Sequence, residues 1–138
     1  MGGDLEAAGI AGLVAKHGPG AIDVDLYKVS HHGSETGAAA DYADQISPKI
    51  SVLSVGDPEI EYPLSAWGHG HPSRAVVELW DDEVSKKRPV RTVRAFEVRK
   101  QMPVDVKVDR AVYATAWDGD VVVEMRTTGW SRVRVGGL

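Results

Sequence analysis

Five histidines are the side chains of this protein best suited to chemistry, and four of them fall in two tight pairs. His31 and His32 are adjacent at the end of the apolar stretch VDLYKVS, and His69 and His71 flank Gly70 just ahead of Pro72-Ser73. Neutral imidazole is the commonest nitrogen ligand for metal ions, and its unperturbed pKa lies close to physiological pH. Two loops that each carry a histidine pair could hold a cation or move a proton. The same spacing also suits polar loop residues beside Gly and Pro, and it matches neither HExxH nor a zinc finger. His17 falls in the last turn of a helical pattern, where it complements the negative end of the helix dipole.

Asp4 has two readings. Its carboxylate suits a helix N-cap, accepting from the first free amides, and it equally suits a hard-cation ligand. The chain has no cysteine. Thiol catalysis, disulfides and thiolate metal sites are excluded, so a transition metal would have to use His, Asp or Glu. Nine of the 16 basic residues (Lys86, Lys87, Arg88, Arg91, Arg94, Arg99, Lys100, Lys107 and Arg110) fall within 25 positions. Such a segment suits a phosphate-rich ligand or a nucleic-acid backbone. The reading favoured here is a solvated strand surface that blunts a sheet edge.

The elements that must position these residues read as follows. A helix is expected over Leu5–Lys16, closed by Gly18-Pro19-Gly20. A strand over Val24–Ser30 breaks at His31-His32-Gly33-Ser34, and a helix follows over Thr36–Ile46. The apolar run Ile50–Val55 suits a buried strand. Gly56–Pro72 reads as a loop, and Ser73 caps a helix through Glu83 whose apolar face is Ala75, Val76, Leu79 and Trp80. Val90–Val108 alternates apolar and charged residues as half-exposed strands do. Ala111–Thr127 is expected to form a hairpin around Asp118-Gly119. The order strand, loop, helix, strand, loop, helix predicts an α/β (α+β) architecture with both histidine loops at neighbouring strand ends.

The 138 residues suit one domain, and 43% hydrophobic with 26% charged residues is ordinary for a globular chain. A net charge of −4 argues against a generally basic coat for nucleic acid. No apolar run approaches the roughly 18–20 residues of a membrane span, and the first residues lack the basic region of a signal peptide. A cytoplasmic location is therefore favoured. No internal repeat or linker is visible.

Taken in order, Gly3-Asp4-Leu5-Glu6, Asp25–Ser34 (DLYKVSHHGS), Gly70-His71-Pro72 and Val112–Thr115 with Asp118-Gly119 resemble the C-terminal half of metallo-β-lactamase-fold hydrolases, in particular the ComEC-type competence-protein branch. The resemblance covers most of residues 3–83 and 111–125. It implies an αββα sandwich, of which this chain would be the C-terminal half: a mixed sheet with flanking helices, a late β-hairpin, and a basic strand insertion at about 84–110. It implies a dinuclear zinc or manganese site. Asp4 would be the bridging ligand and His31 a ligand of the second metal. His32 and His71 would line the site to hold a phosphate or donate a proton, and Ser34 would cap the next helix. His69 receives no role.

The implied reaction is metal-dependent phosphodiester hydrolysis, with nucleic acid as the natural substrate. The family's HxHxDH signature is missing from the 138 residues, so this chain is expected to bind metal weakly and turn over little alone. A different outcome on the same half-fold is a non-enzymatic module that binds nucleic acid or a partner chain, or associates with itself over an open sheet face. A third is a mononuclear site of Asp4, His31 and either His69 or His71.

Overall fold

The computed structural model describes residues 3–18, 20–57, 65–128 and 131–136. Pro19 of the expected helix stop and residues 58–64 of the expected loop lie outside the described residues. Helices and strands are mixed, with one parallel sheet and two antiparallel hairpins, which is an α+β arrangement. The parallel and antiparallel pairings lie in separate sheets rather than in one mixed sheet. Among the described residues no helix is long and apolar enough to cross a membrane.

The chain opens with α1 (Ala7–His17), followed by β1 (Leu26–Lys28), α2 (Ala40–Ile46) and β2 (Ile50–Leu53). Next come α3 (Arg74–Glu83), β3 (Lys87–Glu97) and β4 (Met102–Arg110). The chain closes with β5 (Val112–Ala114), the single turn α4 (Thr115–Asp118), β6 (Asp120–Met125) and β7 (Ser131–Gly136). Strand β2 lies between β1 and β5, parallel to both, with Tyr27 level with Ser51 and Ser51 level with Val112.

One face of this sheet is fully covered. Tyr27, Ser51, Leu53, Val112 and Ala114 are buried there. Tyr27 packs against Trp80 of α3 with ring centroids 4.7 Å apart and against Tyr42 of α2 at 5.9 Å, edge on. On the opposite face Lys28, Val52 and Tyr113 lie level in register and are half-buried. Helix α3 serves two cores. Val76 and Trp80 enter the sheet core, and Val77 enters a second core with Val93, Ala95, Val106 and Val108 of the β3–β4 hairpin. The buried face is therefore wider than the sequence pattern indicates. Ala75 is exposed and Val77 is completely buried, because the hairpin covers a flank of the helix that periodicity leaves to solvent.

Two expectations are corrected. Asp4 does not cap α1: the N-cap position is Glu6, with no side-chain cap, and Asp4 is exposed in the preceding turn. The hairpin around Asp118-Gly119 does not form either. Val112–Ala114 instead joins the parallel sheet, α4 makes a turn, and β6 pairs with β7, Val121 opposite Val135. Asp118 is the reason. It is 5% exposed and accepts hydrogen bonds from Arg88 at 2.7 and 2.9 Å, from Arg91 at 2.9 Å and from the Ala114 amide at 3.2 Å. A carboxylate so engaged cannot sit at a solvent-facing hairpin tip. Arg88 also donates to the Val112 carbonyl at 2.9 Å and lies 4.2 Å over the Tyr113 ring. These contacts tie β3 to the end of β5, and the hydrogen bonds to Asp118 raise the pKa of Arg88 above its ordinary range.

Replacing Asp118 by Ala would leave a buried guanidinium and a strand amide without their acceptor. The expected loss is about 3–5 kcal/mol of unfolding free energy, the usual cost of breaking a buried pair. Asp118→Asn, which keeps an acceptor oxygen, should lose less. Urea denaturation of the two variants checks the order.

Candidate functional site

The sheet brings the carboxyl ends of β1, β2 and β5 to one edge, and a cavity of about 970 Å³ opens there. Its wall includes Glu6, His31, His32, His69, His71 and Thr115. The crevice beyond the strand C-termini is the usual place for a site in an open α/β sheet. His31 and His32 follow β1 in the tight turn Ser30–Gly33, and both adopt left-handed backbone conformations, φ 46° and 53°. Such conformations in non-glycine residues cost free energy and cluster at functional sites. The turn is held by the His31 amide donating to the Gly3 carbonyl at 2.9 Å and by the Ser34 amide donating to the His31 carbonyl at 2.9 Å. Ser34 accepts from the Thr36 amide at 3.3 Å, so it caps the following short 3-10 turn.

The second histidine loop is fixed to the first. The Ser73 amide donates to the Gly33 carbonyl at 2.9 Å. Gly33 sits at φ 84°, where an added Cβ would stand 2.8 Å from a Leu53 methyl and 2.9 Å from the Pro72 ring. Only glycine fits both the conformation and the space. On its far side this loop is braced by the β3–β4 hairpin. The Phe96 amide donates to the Pro72 carbonyl at 2.8 Å, and the Phe96 ring packs on Gly70, itself at φ 77°. The segment expected as a basic insertion thus supports the site. Several of its charges are already engaged: Arg88 and Arg91 with Asp118, Arg94 with Asp105, and Arg110 with Asp109.

The rings of His31 and His71 approach to 5.5 Å. Nδ1 of each is buried without a hydrogen-bond partner, and buried polar atoms in that condition call for an explanation. Glu6 Oε1 stands 3.5 Å from His31 Nδ1, close enough for an ion pair but too long for a well-formed hydrogen bond. His32 donates from Nδ1 to the Ser54 carbonyl at 2.6 Å, which leaves its Nε2 as the free nitrogen. Burial lowers the His71 pKa below its ordinary 6.5, and the neighbouring histidines push the same way, against the Gly70 carbonyl, which as an acceptor raises it.

Of the sequence-derived candidates, His31, His32 and His71 converge on the cavity and His69 joins them at its exposed rim. Asp4 is not among the lining residues. The nearby carboxylate is Glu6, two positions on, which no local sequence pattern sets apart from Asp4. Ser54 and Thr115 also line the cavity, and no local pattern marks Ser54. His17 lies at the end of α1, in its last turn, as expected.

Imidazole and carboxylate are suitable donors for zinc or manganese, and the two orphaned Nδ1 atoms are consistent with such a group. The set is nevertheless incomplete. Among the described residues no three His, Asp or Glu side chains come together closely enough to hold a metal ion. The dinuclear centre, and the mononuclear one with Asp4, His31 and a loop histidine, are not built by these residues alone.

Comparison with protein-family models, curated proteins and solved structures finds no match.

Two outcomes follow from this geometry. Gly33→Ala should cost roughly 1–3 kcal/mol through the left-handed backbone alone, with the crowding against Pro72 in addition; urea midpoints measure it. For His71 the folded-state pKa is depressed, so below pH 6.5 the unfolded chain binds a proton that the folded chain refuses. Stability rises with pH through that window and is unaffected by this group above it. His71→Gln should therefore flatten the fall in stability between about pH 7.5 and about pH 5.5, read from urea midpoints across that range.

Proposed function

We propose that this chain supplies the histidine-lined half of a metal-dependent phosphodiester-hydrolysing site of the metallo-β-lactamase type. The observation that supports it is the convergence of His31, His32 and His71 from two loops into one cavity at the strand C-termini. In this reading His31 is a metal ligand and Asp4 the second, reached by a rearrangement of the turn before α1. The remaining ligands come from outside the described residues. His32, donating from Nδ1 to Ser54, offers Nε2 as a second donor to a phosphate oxygen when the ring is protonated. His71, kept neutral by burial, is suited to accept a hydrogen bond from the substrate or to move a proton rather than to pair as a fixed cation. Nucleic acid is one source of such a phosphodiester. The ion pairs made by arginines of the β3–β4 hairpin, with Asp118, Asp105 and Asp109, leave fewer free charges for a dedicated phosphate-backbone face.

The test uses zinc and manganese titration of the purified chain beside a generic aryl phosphodiester assay. The expected result is one weak metal site that His31→Ala abolishes, with hydrolysis no faster than the metal alone gives. Metal binding unchanged by His31→Ala would remove the reading. Two tightly held ions per chain with turnover would overturn the half-site part of it, since two protein ligands do not make a tight site.

A further inference from the structure

Strand β2 carries two consecutive backbone groups past its end, and they face opposite ways. Alternate residues of a strand present their amide and carbonyl to opposite neighbours. The Val52 carbonyl accepts from the Val29 amide at 2.9 Å on the β1 side, and the Ser51 amide donates to the Ala111 carbonyl at 3.1 Å on the β5 side. Continuing the pattern, Ser54 turns its carbonyl toward the β1 side, where it accepts from His32 Nδ1 at 2.6 Å. Val55 turns its amide and carbonyl toward β5. That strand has already ended at Ala114, and the chain turns into α4. Val55 is 4% exposed, so both groups need partners within the protein. Thr115 provides both with one atom: Oγ1 accepts from the Val55 amide at 2.9 Å and donates to the Val55 carbonyl at 2.5 Å.

The Ser54 carbonyl and the Val55 amide belong to the same peptide unit, which is planar and rigid. The hydrogen bond from His32 at one end of that plane and the hydrogen bond to Thr115 at the other cannot be set independently. They also polarise each other, since each withdraws charge in the same sense along one amide.

We propose that Thr115 is a positioning residue for His32, acting through the single peptide plane that joins Ser54 to Val55. Thr115 holds the plane so that the Ser54 carbonyl faces His32. The carbonyl then keeps the proton on Nδ1 and leaves Nε2 free toward the cavity. A hydroxyl is required because one atom must both donate and accept. Threonine does this with a stiff χ1, which limits the play at the far end. The proposal concerns the tautomer of neutral His32 and stands apart from the hydrolase reading.

The experiment compares wild type, Thr115→Val and Thr115→Ser at about pH 8, where imidazole is neutral. Nitrogen-15 spectra of the histidine rings report the tautomer. Wild type and Thr115→Ser should show His32 protonated at Nδ1. Thr115→Val, which keeps the shape but not the hydroxyl, should shift His32 toward the other tautomer. A wild-type His32 spectrum in Thr115→Val overturns the proposal. If Thr115→Val does not fold, His32→Ala tests the same plane from the other end. The Val55 amide proton should then move upfield as its hydrogen bond to Thr115 weakens, and an unmoved resonance overturns the coupling.

Discussion

Strand β2 runs parallel to both of its neighbours, and this pairing decides where everything chemical can be. Parallel strands end together. The turn with His31 and His32 leaves β1, Ser54 and Val55 leave β2, and Thr115 leaves β5, all at one edge of a three-stranded sheet. An antiparallel β5 would have carried Thr115 to the opposite edge. The sheet holds its register because Tyr27, Leu53 and Val112 are buried on one face against α2 and α3, and a slip of one residue would turn them all outward.

Around that edge, backbone hydrogen bonds hold the histidine loops to their neighbours. Gly33 takes the Ser73 amide, Pro72 takes the Phe96 amide, and Gly3 takes the His31 amide. The histidine loops are thus fixed in place by main chain, and the imidazoles carry little of the structural burden themselves. That is the usual division between a rigid scaffold and the residues it presents. Asp118 works at a greater distance. By binding Arg88 and Arg91 it locks the β3–β4 hairpin to the end of β5, and the hairpin in turn braces the loop of His69 and His71.

Much of the scaffold was legible from periodicity. The Ile50–Val55 run, the Ser73 cap with its helix to Glu83, and the alternation after Val90 all fall where the strands and helix lie, within a few residues at the ends. Two of the errors share one cause. Asp118-Gly119 has the chemistry of a hairpin turn, yet the carboxylate is drawn inward by an arginine 30 positions earlier. Ala75 and Val77 exchange places because a hairpin formed later in the chain covers one flank of α3. Local pattern cannot register a partner that is distant in sequence. The clustering of His31, His32, His69 and His71 was readable because each pair abuts an element boundary. Glu6 and Ser54 were not, since nothing near them in sequence distinguishes them.

The bracing of the second histidine loop has an evolutionary side. What the hairpin contributes to the loop is one backbone amide, one aromatic ring and the steric limit that ring sets on Gly70. Its solvent-facing side chains, among them Thr92, Arg94, Asp105 and Lys107, make none of those contacts. The outer surface of β3 and β4 is therefore free to drift in charge without disturbing the cavity, whereas drift at Phe96 is constrained as tightly as at a histidine. A surface whose charges can change beside a fixed backbone latch leaves room for new partners while the loop beneath keeps its geometry.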